Sequence, residues 1–490
     1  MDSLLFLCAR RVVAQCPLPA LPADLYPVLF QAAFLDGRPL VLRDLVATWP
    51  FPVLKFQWLL RHRMSLLNHP FSNCIQAVIQ AVMPQLRWEL EEPGRDSRWV
   101  LLRVLDLTGL LDSVPGRPST WWIRRLTTEA LAKAYMEVSK HQQEFQKRKP
   151  KRHKGHFGAA TAATTPQPLG VDVHTDLSVT DDSYRILCDA LQDGAPGPLR
   201  IKCREFHTEY ISASEIVTLL ESLDPSCMRR VDVCYNRLGL AGLSVILPHL
   251  SRFPELRSLR VRYSNVDVRH LTPESAIGIR RVARQLGMLP GLRELNLGCN
   301  QLSGNLRQIL SDLQAPLESL ELASCSLVPD DLTFLSQSIH APALKRLDLS
   351  GHNISQGLLE PIQLLLEKTS ASLLECRMAD SHLAVLLPTL LRCSRLRFLG
   401  LCRNHLSKAV IKDLLQKTLE LPDLHLVVYP IPMDCYKLYQ PKPGVCFAVC
   451  KKLIAAAKAE ISQLLANSGR TDLVWTSKPF GIEALDYFSL

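Results

Sequence analysis

An α/β solenoid, a horseshoe of long strand–helix repeats, is the fold class this 490-residue chain predicts. Three observations carry it. The second half restates one phrase, L-x-x-L-x-L-x-x-N/C-x-L, the signature of leucine-rich repeats. Clear copies are LRELNLGCNQL (Leu292 to Leu302), LESLELASCSL (Leu317 to Leu327), LKRLDLSGHNI (Leu344 to Ile354) and LRFLGLCRNHL (Leu396 to Leu406). MRRVDVCYNRL (Met228 to Leu238) fits with apolar substitutions; LRSLRVRYSNV (Leu256 to Val266) and LLECRMADSHL (Leu373 to Leu383) are degraded copies, with Ser264 and Ser381 in the Asn/Cys position. Next, Asn236, Asn300, Asn353 and Asn404 recur where the chain turns off each strand, where a buried side chain bonds the backbone, and Cys325 fits the same slot. A doubly wound sheet makes no such demand at a fixed offset. Finally, the copies from Leu292 to a weak one near Leu424 start 23 to 29 residues apart. That length leaves room for a helix in each unit, such as DDLTFLSQSI or AVIKDLLQKTL.

The remaining elements follow in chain order. Residues 1–135 hold Trp49, Trp58, Trp88, Trp99, Trp121 and Trp122 and read as short helices broken by proline, with a strand-like VLDLTGL at Val104 to Leu110. Residues 136–170 combine a Lys/Arg/Gln run with GAATAATTPQPLG, too poor in apolar bulk to order itself, and predict a basic disordered linker. Repeats fill 171–430, with Leu297 and Leu349 in the core between units. Residues 431–490 break the pattern, and the apolar stripe of VCFAVCKKLIAAAKAEISQLLANSG predicts a capping segment for the open end of the solenoid.

Composition bounds the function. Apolar residues are 47% and charged residues 21% of the chain, which excludes a disordered or collagen-like protein. No apolar run reaches membrane-spanning length, and the charges of MDSLLFLCARRVV follow its apolar stretch, so neither a membrane span nor a secretory signal is expected. The 15 cysteines include no CxxC pair, which suits free thiols in a reducing compartment, the cytoplasm and also the nucleus. Of the net charge of +10, six units lie in Lys147, Arg148, Lys149, Lys151, Arg152 and Lys154, leaving 10 − 6 = +4 elsewhere. This run reads as a solvated charge cluster or a nuclear import signal; with no aromatic residues interleaved for stacking, a nucleic-acid partner is not expected. The chain has no P-loop, HExxH or GxSxG motif, and Cys446 and Cys450 form a lone pair that reads as packing. No enzyme activity, cofactor or metal is expected.

Two N-terminal patterns point to partners. Steps of four place Leu4, Cys8 and Val12 along one helical face with a small polarizable residue at its centre. Leu21, Pro22, Leu25 and Leu29 follow in an apolar-Pro-x-x-apolar-x-x-x-apolar pattern. Pro27 cannot lie inside a helix begun at Pro22, so two short helices are expected there. The first pattern resembles an elongin-C-binding box and the second a cullin-2 box. Together with the stretch Leu21 to Phe51, VLDLTGL, the long repeats and MDCY (Met433 to Tyr436), they resemble the family of the preferentially expressed antigen in melanoma (PRAME) over nearly the whole chain outside the basic linker. The resemblance implies a non-enzymatic horseshoe that serves as substrate receptor of an elongin B/C–cullin-2 ubiquitin ligase. For a relative within that family it also implies restraint of NF-κB signalling by binding the IκB kinase.

A client surface is expected on the concave face of the horseshoe. There Asp232, Arg260, Asn296, Glu321, Asp348 and Arg377, with Glu294 and Arg346 beside them, should form a ladder acidic in its middle and basic at Arg260 and Arg377. The competing reading is an ordinary solvated strand face.

Overall fold

A computed structural model of the chain describes residues 3–15, 18–19, 21–60, 72–91, 102–109, 121–148, 170–192, 197–270, 272–354, 357–367, 370–373, 376–393, 396–439 and 446–477. Two units build it, Met1–Ile211 with Glu215–Arg229, and Ser212–Ser214 with Arg230–Leu490.

The first unit runs α1 (Leu4–Val13), α2 (Tyr26–Leu35), α3 (Pro39–Ala47), β1 (Val53–Lys55), α4 (Phe56–Leu60), α5 (Ser72–Glu91), β2 (Val104–Asp106), α6 (Trp121–Arg148), β3 (Val171–Thr180), α7 (Asp181–Gln192), β4 (Leu199–Glu209) and most of α8 (Ala213–Ser222). Its four strands pair in parallel, and the register aligns Leu54, Leu105, Val173 and Ile201, all buried, as one apolar rung. Phe30 packs edge-on against Trp49 and Phe56, with ring centroids 5.7 and 5.3 Å apart. Such aromatic packing anchors the helices on that rung.

Two expectations are corrected here. The helical N-terminal region supplies two strands of a parallel ladder, so strand pairing starts well before residue 171. The linker expected over 136–170 cannot begin before 149, because residues 136–148 complete α6. The physical reason is a continuing stripe: Leu131, Ala134 and Val138 are buried in the unit's core, with Tyr135 packed against it. The helix thus carries its polar last turns past an anchored face. Residues 149–169 lie outside the described residues.

The second unit alternates strands and helices: β5 (Arg230–Asp232), α9 (Gly239–Leu250), β6 (Ser258–Arg260), α10 (Pro273–Gly287), β7 (Glu294–Asn296), α11 (Leu306–Leu310), β8 (Ser319–Glu321), α12 (Pro329–Gln337), β9 (Arg346–Asp348), α13 (Leu359–Leu366), β10 (Ser370–Ser372), α14 (Asp380–Arg392), β11 (Phe398–Gly400), α15 (Lys408–Thr418) and β12 (Leu426–Val428). All these strands pair in parallel, in order, with Val231, Leu259, Leu295, Leu320, Leu347, Ala371, Leu399 and Val427 in register. This is the leucine-rich-repeat solenoid that the spacing predicts, and Leu297 and Leu349 are buried in it. Beyond the repeats come an antiparallel hairpin of β13 (Tyr436–Tyr439) and β14 (Cys446–Val449), then α16 (Lys451–Asn467) and β15 (Val474–Thr476), which returns to pair with β12.

The Asn/Cys slot shows how each repeat holds its turn. Asn300 donates to the carbonyls of Val261 (3.1 Å) and Leu297 (2.9 Å) and accepts from the N–H of Val266 (3.0 Å). Cys325 donates its thiol to the Leu297 carbonyl at 3.2 Å. In the next repeat the slot belongs to His352 and not, as expected, to Asn353: the buried imidazole donates from Nδ1 to the Leu349 carbonyl at 2.8 Å. One repeat later it belongs to Cys376, whose thiol reaches the same carbonyl at 3.4 Å, so the frame Leu373 to Leu383, which put Ser381 in the slot, is also corrected.

His352 gives the unit an acid sensitivity. Burial holds its pKa below the usual histidine value, and burial does the same for His340, whose Nδ1 accepts from the Leu317 N–H. Below pH about 6.5 the unfolded chain binds these protons and the folded chain resists them, so stability falls as pH drops. His352→Asn puts the side chain used at positions 300 and 404 into the slot. The variant should lose less melting temperature than wild type between pH 7.5 and 5.5, with His340 accounting for the remainder. An unchanged pH dependence would assign the effect elsewhere.

Candidate functional site

Helix α1 divides into two faces. Ser3 caps its start, accepting from the Phe6 N–H at 3.2 Å, and Phe6, Ala9 and Val13 are buried in the first unit's core. Arg10 fixes the outer side by pairing with Asp36 at 2.7 Å. On the opposite side Leu4 is 78% exposed, with Leu5, Leu7 and the free thiol of Cys8 exposed beside it. Apolar side chains are presented to solvent on a helix that is already anchored. Val12 is the exception within the predicted trio, half-buried against the core.

The segment after α1 folds as two pieces. Pro22 is extended (φ −59°, ψ 144°) and starts a short 3-10 turn over Ala23–Leu25, and Pro27 lies in the first turn of α2, where its missing N–H costs nothing. Pro22 is exposed and Leu21 and Leu25 are half-buried, whereas Leu29 is fully buried. Leu29 is therefore a core residue, and only Leu21, Pro22 and Leu25 keep accessible surface for a partner.

The open face of the second unit's sheet carries the predicted ladder in a more self-contained form. Glu321 is held by Arg346 at 2.8 Å and accepts from the Asn296 amide, and Glu294 pairs with Arg230 at 3.5 Å. Asp232, Asn296 and Asp348 each accept an N–H two residues on, at 3.1, 2.9 and 2.9 Å, tying the chain as it leaves the strand. The acidic middle is thus largely neutralised from within, and Arg260 stands half-buried among these groups. Arg377 is a correction. It lies on no strand: the rung beside Asp348 is Ser372, and Arg377 sits in the following loop with φ 53°. Arg230, two residues before Asp232 on the same face, was missed although period-2 reading names it. Toward β12 the face turns apolar, with Phe398, Leu426 and Val428 buried in a small cluster of their own with Cys402.

Of the basic run, Lys147 is exposed and Arg148 ends α6, while Lys149, Lys151, Arg152 and Lys154 lie outside the described residues. Among the described residues there is no group of metal-binding side chains and no helix long and apolar enough to cross a membrane.

Family models match both units: the PRAME C-terminal domain over residues 171–481 and the PRAME N-terminal domain over residues 6–114. The chain belongs to the PRAME family. Within the PRAME family it is 42% identical over 516 residues to leucine-rich repeat-containing protein 14 of Xenopus laevis, and 42% over 517 residues to that of Homo sapiens, covering the whole of each chain. With PRAME family member 12 of Homo sapiens it shares 29% identity over 438 residues, 87% of this chain and 82% of that one. Among solved structures it is similar to the yeast Rad7 and Elc1 complex, with a TM-score of 0.38 and 12% identity over 91% of this chain and 98% of that one. The N-terminal PRAME match takes in Cys8 and Leu21 to Leu29, and Leu4 precedes it.

Proposed function

We propose that this PRAME-family protein is a non-enzymatic interaction scaffold acting as substrate-recognition subunit of an elongin B/C–cullin-2 ubiquitin ligase. In this reading α1 engages the elongin, the Leu21–Leu25 segment meets the cullin, and a client protein occupies the open sheet face of the second unit. The supporting observation is the exposure of Leu4 and Cys8 on a helix whose other face is locked into the core. An apolar pair left in water on a rigid element is stabilised by a partner's pocket.

Truncating Leu4 should remove burial worth roughly 1.5–3 kcal/mol from such a complex, a ten- to hundredfold loss of affinity. Co-purification of the full chain with elongins B and C and cullin-2 tests it. Leu4→Ala with Cys8→Ser should lose the elongins. Leu21→Ala with Pro22→Ala should keep them and lose the cullin. Point variants are needed because deleting residues 1–30 would strip Phe6, Ala9, Val13, Leu29 and Phe30 from the core. Failure of wild type to recruit any of the three overturns the receptor reading. If the Leu4 and Cys8 variant keeps its full effect on a client such as the IκB kinase, the protein acts by occupancy alone, as a stoichiometric inhibitor.

A further inference from the structure

A second recognition surface lies on the loops that leave the strands of the second unit. Three residues beyond the last strand residue, the loops after β5, β6, β7, β8, β9 and β11 each place a residue with positive φ: Tyr235 (60°), Tyr263 (55°), Cys299 (57°), Ser324 (54°), Gly351 (78°) and Arg403 (58°). Bulky residues rarely adopt this conformation. The first of these form a hydrogen-bonded row: Tyr235 N–H donates to the Arg262 carbonyl (3.2 Å), Tyr263 to Gly298 (3.2 Å), Cys299 to Ala323 (2.7 Å) and Ser324 to Ser350 (2.7 Å).

Along this row the side chains shrink from Tyr and Tyr through Cys and Ser to Gly. At the large end the rings of Tyr235 and Tyr263 stack, centroids 4.5 Å apart and planes 20° apart, each more than a third exposed. The Arg262 guanidinium lies 4.8 Å from the Tyr263 ring centre. At the small end a cavity of about 590 Å³ opens, lined by Gln301, Ser324, Ser326, His352, Asn353 and Arg377 among others. Gly351 holds φ 78°, which favours glycine, and a Cβ there would displace the Ser324 hydroxyl, whose Oγ would lie 2.3 Å away.

Charge selects the occupant. These loops contain Arg237, Arg262, Arg269, Arg377 and Arg403 against the carboxylates of Asp267 and Glu375, and Glu375 lies outside the described residues. Asp267 is already spanned by Arg269 at 2.6 Å. Arg237 and Arg377 make no ion pair among the described residues. From β5 to β10 the edge covers five inter-strand steps, about 24 Å, which is about seven residues of extended chain.

We propose that this loop edge binds an extended acidic segment of a protein partner. An apolar side chain of the segment lies on the Tyr235–Tyr263 stack, and its carboxylates and backbone run into the serine-lined cavity toward Arg377. The site needs neither α1 nor the open sheet face, so it holds whether or not the chain is a ligase receptor.

The test selects a phage-displayed library of random peptides, about twelve residues long, on the full chain, then measures the selected peptides by fluorescence anisotropy at two salt concentrations. Acidic peptides should emerge, bind more weakly at the higher salt, and lose at least tenfold in affinity to Arg237→Glu with Arg377→Glu and to Tyr263→Ala. Ser324→Trp, which fills the cavity without changing charge, should also abolish binding. Arg260→Ala on the sheet face should leave it unchanged. Variants are compared only where they melt as wild type does, and the arginine pair, on exposed loop positions, secures the test if Ser324→Trp misfolds. The proposal is overturned if no peptide is selected, if the selected peptides carry no net negative charge, or if binding ignores the loop-edge substitutions. It is equally overturned if a twelve-nucleotide oligo-dT strand binds through the same arginines more tightly than the peptides.

Discussion

Asn404→Ala is expected to cost about 4 kcal/mol or more and to unravel the repeats around β10 and β11. The side chain is buried and makes four backbone hydrogen bonds. Its amide donates to the carbonyls of Leu373 (2.8 Å) and Leu401 (2.9 Å), and its Oδ1 accepts from the N–H groups of Cys376 and Met378, both at 3.0 Å. Alanine leaves all four groups buried without partners, and each orphan costs roughly 1–3 kcal/mol. Asn404→Asp should be no better, because it keeps the acceptor, loses both donors and buries a charge. Asn404→Cys should be milder, since thiols at Cys325 and Cys376 already serve this position. Denaturant unfolding measures the difference; a cost within the roughly 0.5 kcal/mol of a surface substitution would remove the slot from the account of stability.

Arg470→Ala is expected to cost about 3 kcal/mol and to loosen the C-terminal end of the second unit. The guanidinium gathers the carbonyls of Leu419 (2.8 Å), Leu421 (2.9 Å) and Leu424 (3.0 Å), at the end of α15 and the turn into β12. The Leu419 carbonyl is one that the end of α15 leaves over, the other two belong to the turn, and a cation there also meets the negative end of the helix dipole. Asp472 holds the guanidinium in place at 2.8 and 2.9 Å, and its hydrogen bond to Arg470 pulls its own pKa down to about 2. A carboxyl with a depressed folded pKa contributes stability above its unfolded value near 4 and loses it as pH falls toward 2. The acid limb of unfolding in that window should therefore flatten in the variant. Arg470→Lys should not restore stability, because one ammonium cannot span the fan of carbonyls. Amide exchange should rise first in β12 and β15; unchanged protection there would show that α15 holds its own end.

The same residues explain what could be read in advance. Asn300, Cys325 and Asn404 stand at a fixed offset from three leucines, and both the slot and the solenoid follow from that offset. Pro22 and Pro27 likewise dictate a break that any fold has to respect. The frame failed where the leucines failed. Lys368 and Ala371 stand where the phrase wants leucine, so the doublet Leu373 and Leu374 drew the register onto Ser381 and placed Arg377 on a strand. His352 is the ninth residue of LKRLDLSGHNI, as Asn300 and Asn404 are of their copies, so the offset itself names it, and Asn353 stands one place too late. Strand β2 was legible in VLDLTGL, whereas β1, three residues long and isolated between prolines and a helix, is too short to show a period. The two faces of α1 were only half legible: spacing puts Leu4, Cys8 and Val12 on one side, but Phe6, Ala9 and Val13 decide which side is taken by the core.

The return of β15 to β12 has a consequence for how the protein is made. The ribosome finishes β12 at Val428, yet the strand that covers its outer edge does not appear until Val474. In between, Leu426, Val427 and Val428 offer an apolar strand with bare backbone groups to any neighbouring polypeptide. Once made, β15 closes that edge through the bonds from Val474 N–H to the His425 carbonyl (2.7 Å) and from Tyr429 N–H to Thr476 (3.0 Å). A premature stop codon in this stretch would therefore yield a sticky product rather than a merely shorter one. Alleles truncated there should be cleared by cellular quality control or found in inclusions, even though every repeat upstream is intact.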